Sequence, residues 1–113
     1  MVNKKCLYET KLEEGVLDVV LHGEIDHHSA VSVRSELDDM ICDLRPDKVV
    51  LDLSRVDFMD SSGLGLIMGR YALMQRLGGE FRLRSPNERI MKIFELAGLG
   101  RIIKIDNEKE VEK

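Results

Sequence analysis

The chain has 113 residues, of which 43% are hydrophobic and 34% are charged, and this size and composition predict one globular domain over residues 1–113. Its 21 acidic and 17 basic residues give a net charge of −4, and no basic stripe contains aromatic residues, so direct binding of nucleic acid is not expected. No apolar run is long enough to cross a bilayer and the first residues lack the apolar core of a signal peptide, so we expect a cytoplasmic protein with no membrane partner.

The first predicted elements are the two strands of a β-hairpin. Apolar residues alternate with polar ones in residues 6–12 and again in residues 16–21, and the Glu-Glu-Gly segment between them is typical of a turn. The two cysteines, Cys6 and Cys42, have no CxxC spacing, and we expect them to be buried free thiols rather than a disulfide.

The first predicted helix carries five apolar residues at helical spacing, Val33, Leu37, Met40, Ile41 and Leu44. Pro46 cannot continue a helix and therefore ends it. Asp26, His27 and His28 precede these residues and raise the question of a metal site. Neighbouring helical side chains point about 100° apart and no second group of ligands is evident, so a helix start is the better interpretation and no metal is expected.

Residues 48–53, KVVLDL, are apolar nearly throughout, which predicts a strand covered on both faces. Residues 54–60, SRVDFMD, are interpreted as a turn that leads into a second helix over residues 64–77. This helix is apolar on two sides. Either neighbouring elements cover both sides, or one side is a docking surface.

The last third of the chain predicts a strand, a helix and a short strand. Residues 80–84, EFRLR, alternate as a strand does, and residues 85–88, SPNE, resemble a capping box with proline at the first helical position. The helix is expected to end at Gly98, before a strand over residues 101–105. The resulting order ββαβαβαβ predicts an α/β fold, in which helices pack against a mixed sheet of about five strands.

The chemically most informative segment is Asp60-Ser61-Ser62-Gly63, at the predicted start of the second helix. Free backbone N–H groups and the positive end of the helix dipole meet there, and both favour an anion or an oxygen-bearing side chain. In the simplest interpretation Asp60 or Ser61 caps the helix. The glycines of the first turns, Gly63, Gly65 and Gly69, weaken the helix but allow close approach, either by the sheet or by a partner.

Three enzymatic interpretations of this segment are weak, so we expect no catalytic residue. Neither serine lies in a Gly-x-Ser-x-Gly nucleophile elbow, and a chain of this length leaves little room for a substrate pocket beside a serine–histidine–aspartate triad. Gly63-x-Gly65-x-x-x-Gly69 is one residue too long for a dinucleotide-binding loop, and the next strand ends in Arg84 where an acidic ribose ligand is expected. A protein that binds a nucleotide or another small ligand through this loop stays as an alternative.

Residues 49–83, together with residues 21–30, resemble the bacterial anti-sigma factor antagonists of the STAS domain family, and the resemblance covers nearly the whole chain. Asp60-Ser61-Ser62-Gly63-Leu64-Gly65 is typical of the family. Asp26-His27-His28 and Gly69-Arg70-Tyr71 resemble its sporulation members, and a general-stress paralogue is the nearest alternative. The resemblance implies a single STAS-type domain with a non-catalytic function.

The resemblance also implies a switch. The unphosphorylated antagonist binds an anti-sigma factor that is itself a serine kinase, and so frees a sporulation sigma factor. The kinase phosphorylates Ser61, which inactivates the antagonist, and a PP2C-type phosphatase reverses the modification. ATP and metal belong to these partners, so no cofactor is expected in this chain. The residues expected to contact the anti-sigma factor are Glu24, Asp26, Asp60, Ser62, Gly63 and Leu64.

Overall fold

The computed structural model of the chain describes residues 7–107. Five strands form one sheet in the order β1-β2-β3-β4-β5, with β1 antiparallel to β2 and all other neighbours parallel. The elements are β1 (Leu7–Glu13), β2 (Val16–Ile25), α1 (His27–Leu44), β3 (Lys48–Met59), α2 (Ser61–Arg76), β4 (Glu80–Arg84), α3 (Glu88–Ala97), a 3-10 turn (Leu99–Arg101) and β5 (Lys104–Asp106). The predicted α/β fold with a mixed sheet and the predicted order of elements are confirmed.

The hairpin turns at Glu14 and Gly15, which both have positive φ angles, 52° and 80°. Two such residues between antiparallel strands match the twist of the strands on either side. The predicted hairpin is therefore correct, although β2 extends beyond residue 21 to Ile25. Cys6, the first residue of the predicted strand, lies outside the described residues.

The two faces of the sheet differ in chemistry. One face is buried, and Leu17, Val19 and Leu51 on it are at most 1% exposed and join a core cluster with residues of all three helices. The other face carries charged side chains, where Arg84 of β4 bridges Asp18 of β2 (2.6 Å) and Asp52 of β3 (3.0 Å). The polar face thus pairs its charges across three strands.

Strand β3 is longer than predicted, because residues 54–59 continue it and the expected turn is wrong. Val56 and Met59 are only 2% and 3% exposed and lie opposite Gly23 and Ile25 of β2. The pairing of β2 with β3 shifts register twice, between Val20 and His22 and between Gly23 and Glu24. Such irregularities break the alternation of apolar and polar residues by which a strand is recognised in a sequence.

The start of α3 also differs from the prediction. Its N-cap is Asn87, whose side chain accepts a hydrogen bond from the Ile90 N–H at 2.8 Å, so the capping box beginning at residue 85 is wrong. Ser85 instead adopts a positive φ of 54° and donates its N–H to the Asp106 carbonyl at 2.8 Å. This bond joins the end of β4 to β5. Strand β5 correspondingly begins at Lys104, after the 3-10 turn rather than at residue 101.

Helix α2 is covered on both apolar sides. Leu66, Ile67 and Met74 are buried, and five further apolar residues are partly buried against the core, Leu64, Met68, Tyr71, Leu73 and Leu77. No helix among residues 7–107 is long and apolar enough to span a bilayer.

On α1, the expectation of a buried Cys42 is wrong. Cys42 is a free, exposed thiol, because Ile41 faces the core and the next side chain points about 100° away. Cys6 lies outside the part of the chain that the structure describes.

Candidate functional site

Two neighbouring strands bring the starts of two helices together at one edge of the sheet. The parallel strands β2 and β3 end side by side at Ile25 and Met59, and each is followed by an aspartate that begins a helix. The Asp60 N–H donates to the Ile25 carbonyl at 3.3 Å, which joins the two strand ends directly. Asp26 and Asp60 are therefore neighbouring N-caps, of α1 and α2, and we call this region the switch edge.

Asp26 is held in a reciprocal capping box. Its carboxylate accepts from the Ser29 N–H at 3.0 Å, and the Asp26 N–H donates to the Ser29 hydroxyl oxygen at 3.0 Å. The backbone hydrogen bond from Ser29, then the hydrogen bond with its hydroxyl and the nearby His28, lower the pKa of Asp26 below its ordinary value. Asp26 is therefore negatively charged at neutral pH.

At the second helix the cap is Asp60 and not Ser61. The Asp60 carboxylate accepts from the Ser62 N–H at 2.8 Å, which leaves Ser61 as the first residue of α2. The Ser61 side chain is exposed, and its hydroxyl takes part in none of the hydrogen bonds found among residues 7–107. Ser62 is half-buried. The Ser61 hydroxyl thus faces solvent at the positive end of a helix, with no structural task of its own.

The three glycines of α2 have different surroundings. A Cβ atom on Gly63 would lie 2.3 Å from Cγ and 2.7 Å from Sδ of Met59, so the close approach of β3 explains this glycine. A Cβ atom on Gly65 or Gly69 would meet nothing within 4 Å. Packing inside the fold therefore accounts for Gly63, which is buried, but not for the exposed Gly65 or for Gly69.

The other predicted contact residues surround Ser61 to different degrees. Glu24 is exposed near the end of β2, and Leu64 is half-buried and packs against the core. Phe58 lies opposite Glu24 in the strand register and is 43% exposed, so it adds an aromatic surface beside the acidic residues. The sequence interpretation missed Phe58 because it assigned residues 54–60 to a turn.

The histidines lie next to each other in the first turn of α1, and the glycine-rich segment forms the first turns of α2. His27 and His28 stack edge to face with their ring centroids 6.0 Å apart in the first turn of α1. Within residues 7–107, no three histidine, cysteine, aspartate or glutamate side chains cluster closely enough to hold a metal ion. A groove with a volume of about 1770 Å³ lies between the ends of β3 and β4 and the start of α3, and Gly63, Gly65 and Gly69 do not line it.

Comparisons with known proteins identify the family and the fold. The STAS domain family matches residues 8–111. An anti-sigma F factor antagonist of Paenibacillus polymyxa is 42% identical over 101 residues, which cover 88% of this chain and 86% of that protein. An anti-sigma-B factor antagonist of Bacillus subtilis (strain 168) is 33% identical over 105 residues, which cover 90% and 92% of the two chains.

The fold is also that of a solved antagonist. The anti-sigma factor antagonist SpoIIAA superposes with a TM-score of 0.79 in its unphosphorylated form, at 28% identity and with 92% of this chain and 91% of that chain covered. Its phosphorylated form, from Bacillus, superposes with a TM-score of 0.72, at 28% identity and with 92% and 95% covered. These relatives are all antagonists of anti-sigma factors. The chain belongs to the STAS domain family, among its anti-sigma factor antagonists.

Proposed function

We propose that this chain is a phosphorylation-switched antagonist of an anti-sigma factor in sporulation. Its unphosphorylated form binds the anti-sigma factor, a serine kinase, and releases a sporulation sigma factor. Phosphorylation of Ser61 ends that binding, and a PP2C-type phosphatase restores it. The observation that carries the proposal is the Ser61 hydroxyl, exposed and without a hydrogen bond among the described residues, at the start of a helix beside two capping carboxylates.

The fold can accept a phosphate at this position. A phosphoserine adds about −1.5 to −2 charges, and the positive end of the helix dipole at the N-terminus of α2 offsets part of them. Asp60 continues to cap the helix through the Ser62 N–H, because that bond does not involve Ser61. We therefore expect phosphorylation to alter the surface rather than the backbone.

We expect the negative charge of a phosphate on Ser61 to weaken binding to the anti-sigma factor. Glu24, Asp26 and Asp60 already give the switch edge an acidic character, which a partner with basic residues complements. A phosphate on Ser61 adds charge and bulk to the middle of this surface. Repulsion and the cost of desolvating the phosphate then favour dissociation without any refolding.

The relatives favour sporulation over general stress, which is the second candidate. The Paenibacillus polymyxa relative, an antagonist of anti-sigma F factor, shares more of its sequence with this chain (42%) than the Bacillus subtilis anti-sigma-B factor antagonist does (33%). Binding to both kinds of anti-sigma factor from the genome that encodes this chain would separate the two candidates. We expect the tighter complex with the F type, and a tighter complex with the B type would assign the chain to general stress.

Partner contact at the switch edge can be tested by charge reversal. Glu24→Lys should slow association with the anti-sigma factor and weaken its dependence on salt, because attraction between the acidic edge and a basic partner is lost. Glu95→Lys is the matched control, since Glu95 is exposed on α3. Surface plasmon resonance at several salt concentrations measures both. Equal association rates for the two variants would remove Glu24 from the interface.

The nucleotide-binding alternative has a simple test. Calorimetry of the purified chain with ATP or GTP, and no partner protein, should show no binding. Tight binding that is lost in a Gly65→Val variant would favour the alternative over the switch.

A further inference from the structure

Helix α2 carries an arginine that the proposed function does not use. Arg70 is only 5% exposed, and its guanidinium forms an ion pair with Asp38 of α1. Its Nε lies 2.8 Å from Asp38 Oδ1, and its Nη2 donates to Oδ2 at 3.3 Å. A further N–H of the guanidinium, on Nη1, donates to the Leu66 carbonyl at 3.3 Å. One side chain thus joins the two helices through two contacts to a single carboxylate.

This pair is poorly suited to stabilising the fold. Burial and the positive charge of Arg34 oppose the charged form of Arg70, whereas Asp38 favours it. Nε and Oδ1 are ion-paired, but neither atom has a partner with the angles of a hydrogen bond. The Arg70 side chain is 6% exposed and the Asp38 side chain is 38% exposed, so Arg70 bears most of the cost of burial. A guanidinium and a carboxylate in two-point contact fix relative position.

The position fixed here bears on the switch edge. Helices α1 and α2 follow parallel strands and start at the same edge, so they run in the same direction. Asp38 lies twelve residues from the Asp26 cap, about 18 Å along α1, and Arg70 lies nine residues from Ser61, about 13.5 Å along α2. A contact between the middles of two parallel helices determines how far their first turns are displaced along the common axis.

We propose that the Arg70–Asp38 pair is a positioning device, which fixes α2 against α1 and thereby holds the Ser61 hydroxyl at a set position relative to Glu24 and Asp26. The inference rests on the proposed function, because the kinase must recognise the acidic residues and the hydroxyl together. A displacement of about 1 Å at a reacting group can reduce the rate of its reaction by about a hundredfold.

The test is Arg70→Met, which keeps an unbranched apolar stem but removes the guanidinium and with it both contacts to Asp38. The anti-sigma F factor kinase from the same genome, with ATP, should phosphorylate this variant with a kcat/KM at least about tenfold lower than that of the wild type. The melting temperature of the variant should equal or exceed that of the wild type. If the pair served only to stabilise the fold, the melting temperature would fall. Arg82→Met is the matched control, because it removes an arginine paired with Glu80 and Asp106 on the polar face of the sheet, and it should keep the wild-type rate.

Amide NMR provides a readout that does not need the kinase. Arg70→Met should shift the amide signals of residues 24–26 and 61–65, and Arg82→Met should not. If Arg70→Met loses stability because the buried Oδ1 atom of Asp38 loses its ion pair, the Asp38→Asn/Arg70→Met double variant removes both charges and should show the same slow phosphorylation. Wild-type rates and unshifted signals in a folded variant would overturn the positioning role. Shifted signals in a chain whose wild type accepts no phosphate would overturn the proposed function alone.

Discussion

At the scale of single residues, two side chains divide the tasks at the start of α2. Asp60 caps the helix, because its carboxylate accepts a hydrogen bond from the Ser62 N–H. The Ser61 hydroxyl faces solvent and has no hydrogen bond among the described residues. Sequence patterns alone left the cap open between these two residues, because aspartate and serine are both favoured there. The structure separates the residue that stabilises the helix from the residue that we propose is modified.

This separation predicts different costs for two alanine substitutions. Ser61→Ala should change the free energy of unfolding by no more than about 0.5 kcal/mol, because it removes no hydrogen bond. Asp60→Ala should cost about 1 kcal/mol, because the cap is lost. Urea unfolding measures both values, and a loss for Ser61→Ala as large as that for Asp60→Ala would show that Ser61 contributes to the cap.

Two glycines two residues apart in α2, Gly63 and Gly65, provide a second prediction. Gly63→Ala should destabilise the fold by about 1–3 kcal/mol, because the new methyl group would overlap Met59, which is itself buried. Gly65→Ala should leave stability unchanged or raise it by up to about 1 kcal/mol, since nothing lies near and alanine favours helix. Thermal unfolding compares the pair. Equal effects would mean that Met59 does not require the glycine.

At the scale of elements, periodicity predicted which segments are strands and helices better than where they end. Clear alternation or helical spacing was enough for β2, α1 and α2 to be predicted. The end of β3 was missed because its pairing with β2 shifts register, and the cap of α3 was missed because Ser85 bonds to β5, a contact between segments far apart in sequence. The exposed Phe58 was missed together with the end of β3. The Arg70–Asp38 pair was missed because a contact between residues far apart in sequence leaves no local pattern.

Strand β1 and helix α1 are connected by a hydrogen bond between Tyr8 and Glu36. The Tyr8 hydroxyl donates a short hydrogen bond to Glu36, and this bond, partial burial and the negative charge of Glu36 raise the pKa of Tyr8 to about 12. Because the pKa is raised on folding, the pair contributes stability that is fully present below about pH 10 and is lost as the pH rises through about 12.

Absorbance titration of a Tyr71→Phe variant isolates this pair, because Tyr8 is then the one tyrosine in the chain. We expect a transition at about pH 12 in the folded protein. Glu36→Gln in the same background should move the transition towards pH 10, because the carboxylate charge is removed. A transition near pH 10 without the Glu36 substitution would contradict the contact.

At the scale of the whole molecule, the sheet creates the switch edge before any modification takes place. The parallel pairing of β2 with β3 places both aspartate caps, and with them Ser61, at one edge, while the core lies on the face of the sheet behind them. The motif identified the segment in the sequence, and the family resemblance added Glu24 and Asp26. The register of β2 with β3 explains how these residues come to lie at the same edge. We therefore expect a change of charge at this edge to act on a partner without a change of fold.

This arrangement predicts that the phosphorylated and unphosphorylated proteins share one backbone. Amide NMR of the two forms should show shifts confined to the switch edge, near residues 24–29 and 57–66, and unfolding free energies should differ by no more than about 1–2 kcal/mol. Shifts spread over β1, β4 and β5 would instead show that the modification changes the fold.

We propose that Ser61 is the site at which this chain is switched. Intact-mass measurement after incubation with ATP and the anti-sigma F factor kinase of the same genome tests it most directly, with peptide mapping to identify the residue. We predict one phosphate on the wild type, located at Ser61, one phosphate on Ser62→Ala and none on Ser61→Ala. Phosphate incorporated into Ser61→Ala at the wild-type rate would contradict the account.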